Sequence, residues 1–205
     1  MDKLTAWISI ASTFSVLAPL FLLLTNFKSY HLEIKALALF FTIGFLVDIS
    51  TWYFYQVTDI GAYHAVHHGY ELFETTFLFW FLGKVSPQPR FKVFLVNAWF
   101  ALIPFWAMRF YNPDWVGYFK IVTQLAIAFT SCFFILKMVE KNADVSRNLV
   151  VWVLLGMFFY CFCTYFILGT LVLVIANTWF SHNLVNITTN LIYCIGIIRS
   201  QKALS

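Results

Sequence analysis

Apolar stretches of bilayer-spanning length follow one another along almost the whole chain, and the breaks between them are short and carry most of the charge. A helix needs about 20 apolar residues to cross the hydrocarbon core of a membrane. On that rule seven spans are expected, near 4–25, 36–56, 63–83, 91–109, 115–137, 148–175 and 180–198. The breaks fall at 26–35, 56–62, 84–90, 111–114, 137–147 and 177–181. The sixth span is long enough to tilt or to end before Ala176. Pro19 and Pro104 lie inside spans, where a kink is expected but not a lost helix. The expected fold is therefore all-α, one seven-transmembrane-helix domain covering 1–205.

Composition agrees with that class. The 205 residues are 61% apolar and 11% charged, whereas a soluble domain carries about 25% charged residues. The net charge of +4 comes from basic residues scattered through the breaks, so no nucleic-acid patch is indicated. No break is long enough to fold as a separate soluble domain. The opening MDKLTAW runs directly into apolar sequence, with no small-residue cleavage site after a short apolar core. That pattern predicts a retained first span rather than a removed signal peptide. Cys132, Cys161, Cys163 and Cys194 all fall within spans, where cysteine packs as a small apolar residue. Cys161 and Cys163 make a C-x-C without the second pair that a metal motif needs.

Lysine and arginine then set the expected orientation. Lys28, Lys35, Lys84, Arg90, Lys92, Lys137, Lys141, Arg147, Arg199 and Lys202 fall on one side, while Lys3, Arg109 and Lys120 fall on the other. Such a split favours an odd number of spans, with the N-terminus outside and the C-terminus cytoplasmic. The expected location is a cell membrane, crossed several times.

Function is most legible in the third span, where YHAVHHGYELFETT puts three histidines and two glutamates into one apolar stretch. Each ionisable group at the centre of a bilayer costs roughly 2.5–3.5 kcal/mol on insertion scales. At about 100° per residue, His64, His67, His68, Glu71 and Glu74 share an arc of about 120°. Glu71 is expected roughly 12 Å deep, with Asp48 of the second span at a similar depth. His182, Asn186, Asn190 and Tyr193 share one face of the last span, and Gln124 of the fifth reaches the same level. These residues predict an outward-facing polar pocket for a small ligand, ion or lipid headgroup, lined by Asp48, His68, Glu71, His182, Asn186 and Gln124.

Plainer roles stand beside that one. Asn186, Thr188, Thr189 and Asn190 suit interhelical hydrogen bonding, at about 0.6 kcal/mol each. His64 and His67 suit a place among lipid headgroups. The N-I-T at Asn186 matches a glycosylation pattern but falls inside a span.

Zinc chemistry is a further expectation, because imidazole and carboxylate together suit that ion. His64 and His68, four apart on one face, would supply two ligands, and Glu71, Asp48 or His182 a third. A zinc-bound water near neutral pKa would hydrolyse a lipid ester or amide. Seven-span metal hydrolases such as alkaline ceramidases and adiponectin receptors have this helix count. They carry H-x-x-x-H in the last helix, however, where this chain has His182 and then Asn186. Proton-coupled transport is another alternative, since Glu and His form proton relays. A retinal Schiff base would need a lysine between Phe180 and Ile198, and none is there.

Three segments carry a broader likeness: Val47-Asp48-Ile49, then His68, Tyr70, Glu71, Leu72 and Phe73, then His182, Asn186, Asn190, Leu191, Tyr193, Ile195 and Gly196. In these the chain resembles small, uncharacterised bacterial seven-span proteins often encoded beside sensor histidine kinases. The likeness covers most of the chain and departs at His64, His67 and Glu74. It implies membrane localisation in the bacterial inner membrane, seven helices and participation in signalling, with a sensor kinase as the kind of partner. It implies no activity and no oligomeric state.

Overall fold

A computed structural model describes residues 3–86, 88–108, 110–111, 116–141, 145–170 and 178–202. Within them the chain is all-helical. The helices are α1 (Lys3–Ser15), α2 (Leu17–Thr25), α3 (Leu32–Gln56), α4 (Ile60–Val85), α5 (Pro89–Met108), α6 (Val116–Lys141), α7 (Leu149–Thr170) and α8 (Thr178–Gln201). Among the described residues four segments are long and apolar enough to cross a membrane: Lys3–Thr25, Pro89–Met108, Tyr118–Lys141 and Leu149–Ile167. The remaining long helices, α3, α4 and α8, have 25, 26 and 24 residues.

Local sequence explains the helix ends. The first expected span is divided at Val16, three residues before Pro19. Proline has no N–H to offer the Ser15 carbonyl, and its ring crowds the turn before it. Val16 itself keeps helical angles, so α2 continues with only a local break. Pro104, in contrast, sits inside an unbroken α5. Asp59 caps α4 by accepting a hydrogen bond from the Ala62 amide at 2.9 Å, satisfying one of the free donors at a helix start.

Several expected boundaries are corrected. α3 already begins at Leu32 and α6 runs on to Lys141. The turn expected at 177–181 does not hold for Thr178 to Ser181, which are helical. Apolar flanks that continue the helical pattern override the polar signal at these points. Arg109, Asn177 and the residues of the expected breaks at 112–114 and 142–144 lie outside the described residues.

Side-chain contacts between neighbouring helices give their directions. Phe40 stacks on Phe77 while Tyr55 meets Tyr63, so α3 and α4 are antiparallel. The Trp106 indole donates to the His68 carbonyl and the Trp99 indole to the Thr76 hydroxyl, which makes α5 antiparallel to α4. Phe91 meets Phe134 edge-on across α5 and α6. α8 runs parallel to the first helical segment, because the Asn190 amide donates to Ser15 and the Gln201 amide to the Leu22 carbonyl.

α7 and α8 pack tightly enough to require glycine. A side chain at Gly156 would collide with the ring of Tyr193, and one at Gly196 with Trp152. Each glycine thus receives an aromatic ring from the facing helix, as close helix approach in membranes demands. Phe81, Leu82, Ile127, Leu154, Met157 and Ile197 form the centre of the buried core. Large apolar side chains also ring the outside, among them Trp7, Phe21, Phe100, Phe129 and Leu191.

Candidate functional site

The α4 helix carries the ionisable cluster in its first half and apolar packing in its second. Glu71 and Glu74 are both buried, at 5% and 6% exposure. Glu71 is gripped from its own helix and from α6. Its carboxylate oxygens lie 3.5 Å from His67 Nε2 and 3.6 Å from His68 Nδ1. Lys120 Nζ approaches the same carboxylate at 4.0 Å. These spacings follow from helix geometry, since His67 and His68 stand four and three residues before Glu71 and so share its face.

Glu74 lies one turn further along, about 4.5 Å by helical rise. The Tyr160 hydroxyl of α7 is within electrostatic reach of its carboxylate. Lys120 also acts on Glu74 across space. Asp48 of α3 is half-buried and faces Glu74 electrostatically. Tyr70 lies between the two carboxylates and α3, with its hydroxyl against Gly44.

His182 joins from α8. Its ring lies 6.1 Å from that of Tyr160, centroid to centroid. It is also within electrostatic reach of Lys120 and His67. α6 packs on α4 and α7, and α7 on α8, so one polar neighbourhood draws on four helices, with α3 at its edge.

The expected site residues therefore divide. His68, Glu71 and His182 are brought into the cluster, and Asp48 reaches it through Glu74. Gln124 is buried at 3% exposure, one turn from Lys120, and among the described residues its Oε1 has no hydrogen-bond partner. Asn186 is half-buried, and among the described residues no hydrogen bond or ion pair ties it to the cluster. Its neighbour Asn190 bonds Ser15 at 2.7 Å, an interhelical bond. His64 is exposed, and its ring stacks on that of His68.

Lys120 and Tyr160 were not singled out by the sequence. Lys120 was counted with the outer basic residues at the outer end of the fifth expected span, and it belongs to α6 with its side chain 17% exposed. Its signal was present, because a lysine within an apolar stretch needs a counter-charge. Tyr160 lies in a run of aromatics that gave it no distinguishing mark.

The zinc expectation has a direct test in the donor set. Among the described residues no group of three or more His, Cys, Asp or Glu side chains is placed to hold a metal ion. His64 and His68 stack face to face at 5.6 Å instead of converging on a point. His67 and His68 point their nitrogens at Glu71, whose charge is shared with Lys120. The described residues do not fit zinc.

The arrangement can hold and exchange charge. Glu71 and Glu74 face Lys120 and Asp48 faces Glu74, with histidines and tyrosine hydroxyls as proton donors and acceptors. Isolated ions in low dielectric are costly, and pairing offsets that cost only where geometry is good. A cation or donor entering the cluster would compete with Lys120, which stands 4.0 Å from Glu71. The chain matches no protein-family model, no curated protein and no solved structure.

Proposed function

We propose that the chain is a seven-helix integral membrane sensor whose polar cluster faces the exterior and binds a small ligand or ion. The observation that carries this reading is the convergence of Glu71, Lys120, Tyr160 and His182 from four helices on one buried charge cluster. A ligand that takes over Glu71 releases Lys120. Lys120 sits near the start of α6, which packs against α4 and α7 and extends to Lys141 at the other end. A change at the cluster is thereby transmitted along a rigid helix to the basic connections, where a signalling partner such as a sensor kinase would dock.

Seven spans are supported by length and direction. α3, α4 and α8 are roughly 36–39 Å long at 1.5 Å per residue, against a hydrocarbon core of about 30 Å. α3 and α8 also turn Leu39, Leu46, Leu191 and Ile195 outward, as lipid-facing helices do. The parallel course of α1–α2 and α8 suits an odd number of crossings. The orientation, with the N-terminus outside, rests on the bias of Lys and Arg in the connections. With Lys120 now inside the bundle, Lys3 and Arg109 remain as the outer basic residues.

Proton-coupled transport is the second reading. It is favoured by the titratable side chains that act on one another here, Asp48 and Tyr160 on Glu74 and Lys120 on both Glu74 and Glu71. One pair of measurements separates the two. Detergent-purified protein is screened by thermal unfolding against amines, amino acids and simple cations, beside Glu71→Gln. Sensing predicts that at least one compound raises the wild-type melting temperature and leaves the variant unmoved. Proton flux in liposomes that Glu71→Gln abolishes would replace sensing with transport.

A further inference from the structure

At the end of the bundle remote from the carboxylates, a cavity of about 170 Å³ opens between the start of α5 and the end of α6. Phe91, Phe133 and Phe134 form its apolar walls, while Lys137 and Lys141 stand at it with Gln88. We propose that this cavity is a binding site for an anionic phospholipid, with acyl chain against the phenylalanines and phosphate between the two lysines. The proposal rests on the membrane placement above and is independent of what the carboxylate cluster senses.

The lining is amphiphilic in the order a lipid requires. Phe134 is buried at 3% exposure, and Phe133 is open at 44%, so the aromatic wall leads from the core out to the bundle surface. The Phe91 ring contacts both, at 5.2 Å to Phe134 and 6.3 Å to Phe133. Lys137 lies over the Phe133 ring at 5.8 Å, which places its charge at the boundary of that wall. A four-residue step puts Lys141 on the same face of α6, one turn further out.

The competing partner is weak. Lys137 contacts Glu140 at 3.5 Å, but both side chains are exposed, at 48% and 67%, and such surface pairs contribute little. A phosphate displaces that carboxylate at small cost. Lys84 at the end of α4 and Arg90 and Lys92 at the start of α5 are exposed, so the surrounding potential favours an anion rather than a zwitterion. Basic pockets between membrane helices recognise lipid headgroups on this principle.

The test uses the full chain in neutral detergent, with phosphatidylglycerol added, and reads bound lipid by native mass spectrometry and the melting temperature in parallel. Phosphatidylcholine and inorganic phosphate serve as probes of the two halves of the site. Retention of phosphatidylglycerol over phosphatidylcholine is expected in the wild type. Lys137→Gln with Lys141→Gln should weaken it about thirtyfold, from about fivefold per lysine near an anionic headgroup. The exposed lysines leave folding intact, and the unliganded melting temperature verifies this. Lys137→Arg with Lys141→Arg should restore binding. Equal retention of both lipids overturns the proposal, as does an undiminished preference in the glutamine variant. An equal effect of inorganic phosphate removes the lipid and leaves only an anion site. Loss of ligand response in Glu71→Gln has no bearing on any of these outcomes, so failure of the sensory reading is read separately.

Discussion

α4 buries carboxylates and apolar side chains alike and holds the two by opposite means. The second half presents Leu78, Phe79, Phe81 and Leu82, all under 6% exposed, to neighbours that match them in shape. The first half presents Glu71 and Glu74, which no shape can satisfy and which recruit Lys120, Tyr160 and two histidines from the same and other helices. Lipid tails are as apolar as leucine, so packing alone holds the second half together by close contact. Charges in the first half add nothing that a leucine would not provide more cheaply. The comparison teaches that one half of the helix is built for stability and the other is retained at a cost in stability.

The largest effect expected from breaking that comparison is on the packed half. Phe81→Ala should lower stability by about 3–5 kcal/mol by leaving a cavity, measured by thermal or denaturant unfolding in detergent. It should leave ligand-induced stabilisation in place wherever the variant is folded. A comparable loss from Glu71→Gln would erase the distinction between the halves.

Next in size is the removal of one member of the charge cluster. Lys120→Met removes a cation from beside Glu71 and should cost up to about 3 kcal/mol. Adding Glu71→Gln to it should recover part of the loss, and a double-mutant cycle gives the coupling energy. A cycle that sums to zero would mean that the 4.0 Å approach of Lys120 and Glu71 has no energetic content.

Overpacking the α7–α8 seam sharpens the contrast between shape and charge. Gly156→Ala and Gly196→Ala should each destabilise by about 1–3 kcal/mol, because Tyr193 and Trp152 already occupy the space. Unfolding temperatures measured beside the neighbouring Ser200→Ala would separate this from general sensitivity of α8.

The smallest effect belongs to the interhelical hydrogen bond. Asn190→Ala should cost about 0.6 kcal/mol, the average for such bonds in membrane bundles, with ligand response unchanged. Asn186→Ala gives the sharper functional comparison. Because Asn186 is not tied to the cluster among the described residues, a lost response there would enlarge the site beyond Lys120, Tyr160 and His182.

Much of this molecule can be read along the chain. Runs of apolar residues long enough to cross a bilayer require helices, since every backbone group in lipid must be satisfied within its own segment. The stripe His64, His67, His68, Glu71 and Glu74 is likewise a consequence of spacing, because 100° per residue puts these positions on one face. Glycine and proline are harder to read in isolation. Pro19 interrupts a helix and Pro104 does not, a difference that lies in their surroundings.

Tertiary structure alone decided which partners meet that stripe. Lys120, more than forty residues from Glu71 in sequence, comes to its carboxylate because α6 packs against α4. Gly156 and Gly196 let α8 press against α7, which brings His182 beside Tyr160, and Tyr160 in turn faces Glu74 of α4. Helical periodicity is local and survives in the sequence. Helix order and approach depend on the summed fit of side chains far apart in the chain, so charge pairing across the bundle becomes visible only once the helices are assembled.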